Sequence, residues 1–356
     1  MLHAVIMAGG IGARFWPKSR RNNPKQVIDL LGEGPMIQQT LRRISDIVSP
    51  ENRWIVTNQE QADLFVKLIP ELADARFIIE PMGRNTAPAI GLAAVRLLKE
   101  DPDAVMLVLP ADHRIADHYA FRSCLLTAAE IVKDSEALAT IGIEPTRPET
   151  GYGYIQIDRS QPQIRENVFP VKTFAEKPNP QTAKLFLESG EFFWNSGMFI
   201  WRADSIMRHI HDNLPDWYSG LQNIRVALDT DKEKEITQRV FHSNKGISID
   251  YGVMENAQDV IIIKGNFGWS DVGSWDEVWR VRDHDAQGNA LEGEAITVDA
   301  SDNLILAKDK MIAVLGLSKL AVVETDDVIL ICPLAEAQRV RDIVVALEKK
   351  NQLKYL

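Results

Sequence analysis

Short apolar runs punctuate the first half of the chain at regular intervals: Ala4-Val5-Ile6-Met7, Trp54-Ile55-Val56-Thr57, Phe77-Ile78-Ile79, Ala104 to Leu109, and Leu138 to Gly142. Between them apolar residues return at helical spacing, as in Met36, Ile37, Leu41, Ile44, Ile47 and Val48, and again over 59–68, 86–99 and 121–132. Buried strands separated by helical segments of this length predict βαβ units, hence a mostly parallel α/β sheet with helices on both faces. Ligands of such sheets sit beyond the carboxyl ends of the strands.

After Gly142 the pattern changes. Residues 150–157 and 171–178 alternate with period two, which predicts antiparallel strands shaping a second pocket. Helical periodicity returns from Asp204 to about Val240, and Val260-Ile261-Ile262-Ile263 reads as a further strand. A polar, turn-rich stretch over 283–289 then ends a first domain, 1–285, and five short β-like runs and a helix near 335–349 form a second, 286–356. The second has too few residues for a robust core of its own, so it is expected to pack on the first or on a partner subunit.

The first strand empties into Ala8-Gly9-Gly10-Ile11-Gly12-Ala13-Arg14. Three glycines in four residues remove the side chains that would keep an anion from backbone N–H groups, and Arg14, Lys18, Arg20, Arg21 and Lys25 add cations. Phosphate is the expected ligand. Two familiar glycine loops are excluded, because Phe15 stands where a dinucleotide fingerprint needs its third glycine, and Pro17-Lys18-Ser19 lacks the glycine of a P-loop.

Composition narrows the partners. A net charge of −10 over 356 residues argues against nucleic acid or a membrane surface, so the basic loop must serve a local site. With no run of about 18 apolar residues and no leader pattern, the chain is expected in the cytoplasm. Cys124 and Cys332, the two cysteines, read as buried small hydrophobes, and no Cys/His cluster suggests zinc.

Other strand ends carry chemistry with bland alternatives beside it. Asn85 or Thr86 would cap the following helix, yet Gly83 and Arg84 beside its exposed terminal amides also suit a nucleobase or phosphate. Asp112, where an apolar strand meets its loop, is the first candidate to hold a hard divalent cation, or else caps a helix; His113 is the poorer ligand for magnesium. Glu176 could bind two vicinal hydroxyls and Lys177 offer a point charge to a phosphate, or both could form a solvated strand end. Gly153 permits close approach of a ring, or marks a bulge. Asn195, set in an aromatic run, offers both donor and acceptor to a hydroxyl. Asp271 in Gly268-Trp269-Ser270-Asp271-Val272-Gly273 is by local grammar a turn residue.

The run from Ala8 to Pro17, continuing to Pro24-Lys25-Gln26, resembles the signature of the sugar-nucleotide pyrophosphorylases, a nucleotidyltransferase family, and its Trp-Pro-x-Ser-Arg form resembles the mannose-1-phosphate guanylyltransferase branch. Glu80 to Ile90, Glu176-Lys177-Pro178, Asn195-Ser196-Gly197 and Asp250-Tyr251-Gly252-Val253-Met254-Glu255 are similar to further family elements. The resemblance covers roughly 1–285 and is weaker beyond. It implies a Rossmann-like, nucleotide-diphospho-sugar transferase type of fold, GTP and mannose 1-phosphate as substrates, and GDP-mannose and pyrophosphate as products. It implies Mg²⁺ on Asp112 and Asp271. Nucleotide contacts would come from Ala8, Gly9, Gly10, Gly12, Arg14, Lys25, Arg84, Asn85, Thr86 and Asp112, and sugar-phosphate contacts from Gly153, Glu176, Lys177 and Asn195. Arg14, Lys25 and Lys177 would be the catalytic cations, and the Asp250 element could contact ligand or orient neighbours. Another sugar 1-phosphate and triphosphate pair, such as glucose 1-phosphate with UTP, or a nucleotide-sugar sensor without turnover, stay open. The apolar C-terminal strands suggest a homodimer, and the length leaves no room for a second, isomerase-type domain.

Overall fold

The computed structural model describes residues 1–356. In chain order the elements are β1 (Leu2–Met7), α1 (Met36–Arg43), β2 (Arg53–Asn58), α2 (Gln59–Leu68), β3 (Arg76–Glu80), α3 (Thr86–Glu100), β4 (Val105–Pro110), β5 (Arg114–Ile115), α4 (His118–Lys133) and β6 (Leu138–Ile143). They continue with β7 (Tyr154–Ile157), β8 (Val168–Ala175), α5 (Pro180–Ser189), β9 (Phe192–Arg202), α6 (Ala203–Asn213), α7 (Pro215–Ala227), α8 (Glu233–Ser243), β10 (Val260–Gly265), β11 (Trp269–Ser270) and α9 (Trp275–Val281). The last are β12 (Ala290–Glu292), β13 (Ala295–Val298), β14 (Leu304–Leu306), β15 (Ile312–Leu315), β16 (Leu320–Glu324), β17 (Ile329–Pro333) and α10 (Val340–Lys349). No helix is long and apolar enough to cross a membrane.

The chain forms two compact units. One comprises 1–9, 41–111 and 115–269 and contains a nine-stranded sheet ordered β3-β2-β1-β4-β9-β6-β10-β8-β7. Strands β1 to β4 pair in parallel, as the βαβ pattern predicts. The eleven-residue β9 then enters antiparallel to both β4 and β6, so the sheet is mixed rather than parallel throughout. Its run Trp194-Asn195-Ser196-Gly197 crosses β6 at a register shift between Thr140 and Gly142, which sets Asn195 opposite Gly142. The helical periodicity over 204–240 resolves into three helices, because Pro215 opens α7 and the 228–232 turn opens α8. Ala89, Ala93 and Ala94 of α3 with Ile210, Leu221 and Phe241 build the core above the parallel strands.

The other unit comprises 10–40, 112–114 and 270–356. Here β12, β14 and β16 stack in parallel, Ala290 beside Leu304 beside Ala321, while β13 and β15 form a second parallel face. Strand β17 closes the first sheet antiparallel to β16. Too small to bury its own faces, this β-coil shares one core with the segment after the glycines: Phe15, Trp16, Ile28, Leu30 and Met36 pack with Trp275, Leu304, Leu306, Val323 and Val340. Phe15 meets the Trp275 ring edge-on at 5.1 Å, and Trp275 Nε1 donates to the Trp16 carbonyl at 3.1 Å. Cys124 and Cys332 are half-buried rather than buried, Cys332 packing at the rim of the core that holds Trp275.

Candidate active site

Most of the predicted site residues gather in two groups, one in each unit. The first is built on the glycine turn. Gly10 and Gly12 have φ of +91° and +75°, and a Cβ on Gly12 would lie 2.5 Å from Lys25 Cβ, so glycine there lets Lys25 pass beneath the loop. Lys25 is 5% exposed. Its ammonium donates to Asp112 Oδ2 at 2.7 Å and to the Asp271 carbonyl at 3.0 Å, tying together two carboxylate-bearing segments about 160 residues apart in sequence. Burial on its own would raise the Asp112 pKa, but the nearby Lys25 ammonium, with His113, outweighs it and holds the carboxyl below its ordinary value. Gly273 lacks the side chain that would crowd the Asp271 carboxylate, and its carbonyl accepts from Arg14 Nη1 at 3.4 Å. Gly12, Arg14, Lys25, Asp112, His113, Asp271 and Arg341 line one cavity of about 350 Å³.

Three of the five cations expected around phosphate lie elsewhere. Lys18 pairs with Glu292 at 3.3 Å, Arg20 makes a bidentate contact with Asp327, and Arg21 pairs with Glu348. Sequence proximity to the glycines misled here, because the β-coil brings its own carboxylates to that side of the turn.

The second group gathers Gly153, Glu176, Lys177 and Asn195, as the sequence predicted, and adds Asp250. The Asn195 N–H donates to the Gly153 carbonyl at 2.8 Å, and a Cβ on Gly153 would collide with Glu176 Oε2. Lys177, held at φ +47°, donates to Glu176 Oε1 at 2.5 Å. Asn195 Nδ2 donates to Asp250 Oδ1 at 2.8 Å, while Asn195 Oδ1 accepts from the Gly197 N–H at 3.1 Å and the Thr140 hydroxyl at 3.3 Å. One Nδ2 proton therefore remains for a ligand oxygen, so Asn195 presents a donor and not, as the sequence allowed, both functions. Burial first, and the Glu176 carboxylate second, push Asp250 up to about 6. Burial opposes charge on Lys177 as well, but Glu176 outweighs it and keeps the ammonium above its usual range. Asp250 stands in a π-helical turn over 250–254, a common mark of functional sites. The Asp-Tyr-Gly-Val-Met-Glu motif was the available signal; periodicity offered no reason to aim that carboxylate at Asn195.

The loop after β3 is occupied by structural bonds. Arg84 Nε donates to the Phe241 carbonyl at 2.8 Å, Asn85 caps α3 through its own side chain, and the Thr86 hydroxyl accepts from the Ile249 N–H at 2.8 Å. The Arg84 guanidinium expected at a base or phosphate is therefore anchored to backbone at the end of α8. Ala8 holds the end of β1 through Val56 and Thr57.

A nucleotidyl transferase family model matches residues 3–288, and a mannose-phosphate isomerase/GMP-like β-helix domain model matches 293–347. The chain belongs to the nucleotidyl transferase family. This transferase is 38% identical to the mannose-1-phosphate guanylyltransferase of Salmonella muenchen, over 98% of this chain and 74% of that one. The Escherichia coli mannose-1-phosphate guanylyltransferase is 37% identical, over 100% and 76%. The crystal structure of a Thermus thermophilus protein described as mannose-1-phosphate geranyltransferase superposes with a TM-score of 0.87 at 34% identity, covering 98% and 99%. Nucleotidyl transferases of this family act on nucleoside triphosphates and sugar phosphates with a divalent metal. The present transferase offers two carboxylates, Asp112 and Asp271, on one cavity, and no cluster of three or more His, Cys, Asp or Glu. That donor set fits a hard cation that keeps waters and takes its remaining ligands from substrate phosphate.

Proposed function

We propose that the chain transfers GMP from GTP to mannose 1-phosphate, giving GDP-mannose and pyrophosphate. The observation that carries the reading is the joining of Asp112 and Asp271 across the Lys25 ammonium on one glycine-lined cavity. The relatives' names supply guanine and mannose.

The sugar phosphate is its own nucleophile, already anionic, so no Ser, Cys or His base is needed. Its oxygen bonds to the α-phosphorus as the bond from that phosphorus to the β-phosphate bridge breaks, and pyrophosphate leaves. Two polyanions repel, so catalysis rests on positioning and neutralisation. Lys177 holds the attacking phosphate, while Glu176 and the remaining Asn195 donor fix sugar hydroxyls in the gap that Gly153 leaves open. Gly9, Gly10 and Gly12 expose backbone to the triphosphate, and Arg14 with the third Lys25 proton stabilises the leaving pyrophosphate. Ala8, Arg84, Asn85 and Thr86 mark the base end, through backbone rather than the anchored guanidinium. Mg²⁺ on Asp112 and Asp271 would neutralise charge at the α-phosphate. Residues 1–285 are the catalytic domain, and 286–356 the smaller β-rich one. Exposed Leu315 and Ile331 on the β-coil suit a homodimer, which a monomeric mass by light scattering would exclude. The cytoplasm, where nucleoside triphosphates are supplied, is the place of reaction.

The test is pyrophosphate release with Mg²⁺ across a grid of nucleoside triphosphates and sugar 1-phosphates. Release mainly with GTP and mannose 1-phosphate supports the reading; release with another pair overturns the specificity. Tight binding of a nucleotide sugar with no release from any pair makes the chain a sensor.

A further inference from the structure

The cavity that holds Asp112 and Asp271 has one wall from the far end of the chain. Arg341, second residue of α10, lines it together with Gly12, Arg14 and Lys25. The helix is anchored by an apolar stripe at helical spacing, Val340, Ile343, Val344 and Leu347, which packs on the core that also holds Phe15 and Trp275. That packing fixes the face on which Arg341 stands, one residue beyond buried Val340.

Other arginines of this unit are engaged. Arg20 holds Asp327, Arg282 holds Glu292, and Arg339 on the preceding turn holds Glu336 and Asp342. Arg341 is exposed and makes no hydrogen bond or ion pair with any protein group. An unpaired guanidinium on the wall of an electrostatically organised cavity has five donors free for an anion, in the planar fork that matches phosphate oxygens. Along that wall the cations Arg14, Lys25 and Arg341 outnumber the carboxylates Asp112 and Asp271, whereas without Arg341 they only balance them.

We propose that Arg341 of the C-terminal helix binds the β- and γ-phosphates of the nucleoside triphosphate and the pyrophosphate that departs. The α-phosphate end belongs to the carboxylate pair, and the terminal phosphates fall to Arg14 and Lys25, whose cavity wall Arg341 shares. The β-coil thereby contributes a substrate contact besides packing. This assignment rests on the nucleotidyl-transfer reading, deepening it at its leaving group.

The experiment compares the full-length wild type with Arg341→Gln and Arg341→Lys. Binding of inorganic pyrophosphate with Mg²⁺ is followed by titration calorimetry, and KM for GTP and for sugar phosphate by steady-state kinetics. Arg341→Gln is expected to weaken pyrophosphate binding and raise KM for GTP by about 10- to 100-fold, as loss of a charged hydrogen-bond pair implies. KM for sugar phosphate should stay within about twofold and the thermal midpoint should not move, while Arg341→Lys recovers part of the loss. Pyrophosphate binding and GTP KM within about twofold of wild type would overturn the proposal. So would equal losses toward both substrates with a lowered midpoint, which would make Arg341 structural. A wild type that releases no pyrophosphate from any pair yet binds it in an Arg341-dependent way refutes turnover and leaves this assignment standing.

Discussion

Lys25→Met isolates the contact on which the phosphate group of residues depends. Methionine keeps the buried stem against Phe15, whose ring lies 5.2 Å from the ammonium, and deletes the charge together with its hydrogen bond to the Asp271 carbonyl. Removing one partner of a fully buried ion pair costs about 3–5 kcal/mol, because the other charge stays behind without compensation. The Asp112 side chain keeps 28% of its exposure, so water recovers part of that and about 2 kcal/mol is expected at pH 7. The sign with pH follows from Asp112. Its folded-state pKa is depressed, so its stabilising contribution is complete above the unfolded carboxyl value and disappears as pH falls through the folded one. The stability gap between wild type and Lys25→Met should therefore narrow as the pH is lowered through the carboxylate range. Thermal midpoints of wild type, Lys25→Met, Asp112→Asn and the double variant, measured without metal at several pH values, close a double-mutant cycle. A coupling of about 1 kcal/mol or more at neutral pH is expected. Additive losses within about 0.5 kcal/mol, or a gap that widens in acid, would refute the reasoning.

Three further outcomes test the same picture. Asp271→Asn should keep the wild-type circular dichroism while losing about 10²- to 10³-fold in turnover; near-normal activity would remove its carboxylate from the site. Gly153→Ala sets a methyl against Glu176 Oε2, so KM for sugar phosphate should rise at least about tenfold with GTP KM unchanged, and isothermal binding of GTP checks the second half. Asp250 has its carboxyl raised to about 6, so its ionisation opposes folding as pH rises from the ordinary carboxyl value through 6. Asp250→Asn should then be more stable than wild type at pH 8 by about 1–3 kcal/mol, with no gain at pH 4, yet poorer in kcat/KM for sugar phosphate. An equal shift at both pH values would show that burial of charge is not the cause.

What local physics controls could be read along the chain. Alternating buried runs and helical periods dictated β1 to β4 and the helices between them, and both familiar glycine loops were excluded for the turn after β1. Asp112 stood out as a carboxylate where an all-apolar strand meets its loop, whereas Glu176, Asn195 and Asp271 were singled out by the family resemblance, since a solvated strand end or a turn explains Glu176 and Asp271 equally well. Folding in three dimensions settled whatever depends on partners distant in the chain. The stretch Met198 to Trp201 of β9 is as apolar as β1 or β4, so nothing in its period shows that it runs antiparallel between β4 and β6. Lys18, Arg20 and Lys25 are equivalent cations in one dimension, and only the folded β-coil, with Glu292 and Asp327 in place, shows that Lys25 alone of the three reaches Asp112. Arg341 carried no local signal for the same reason, and the motif that marked Asp250 did not show where its carboxylate points. What makes one a raised carboxyl beside Asn195 and the other a free guanidinium beside Arg14 is supplied by segments roughly 55 and 330 residues away, and electrostatic environment is a property of neighbours in space.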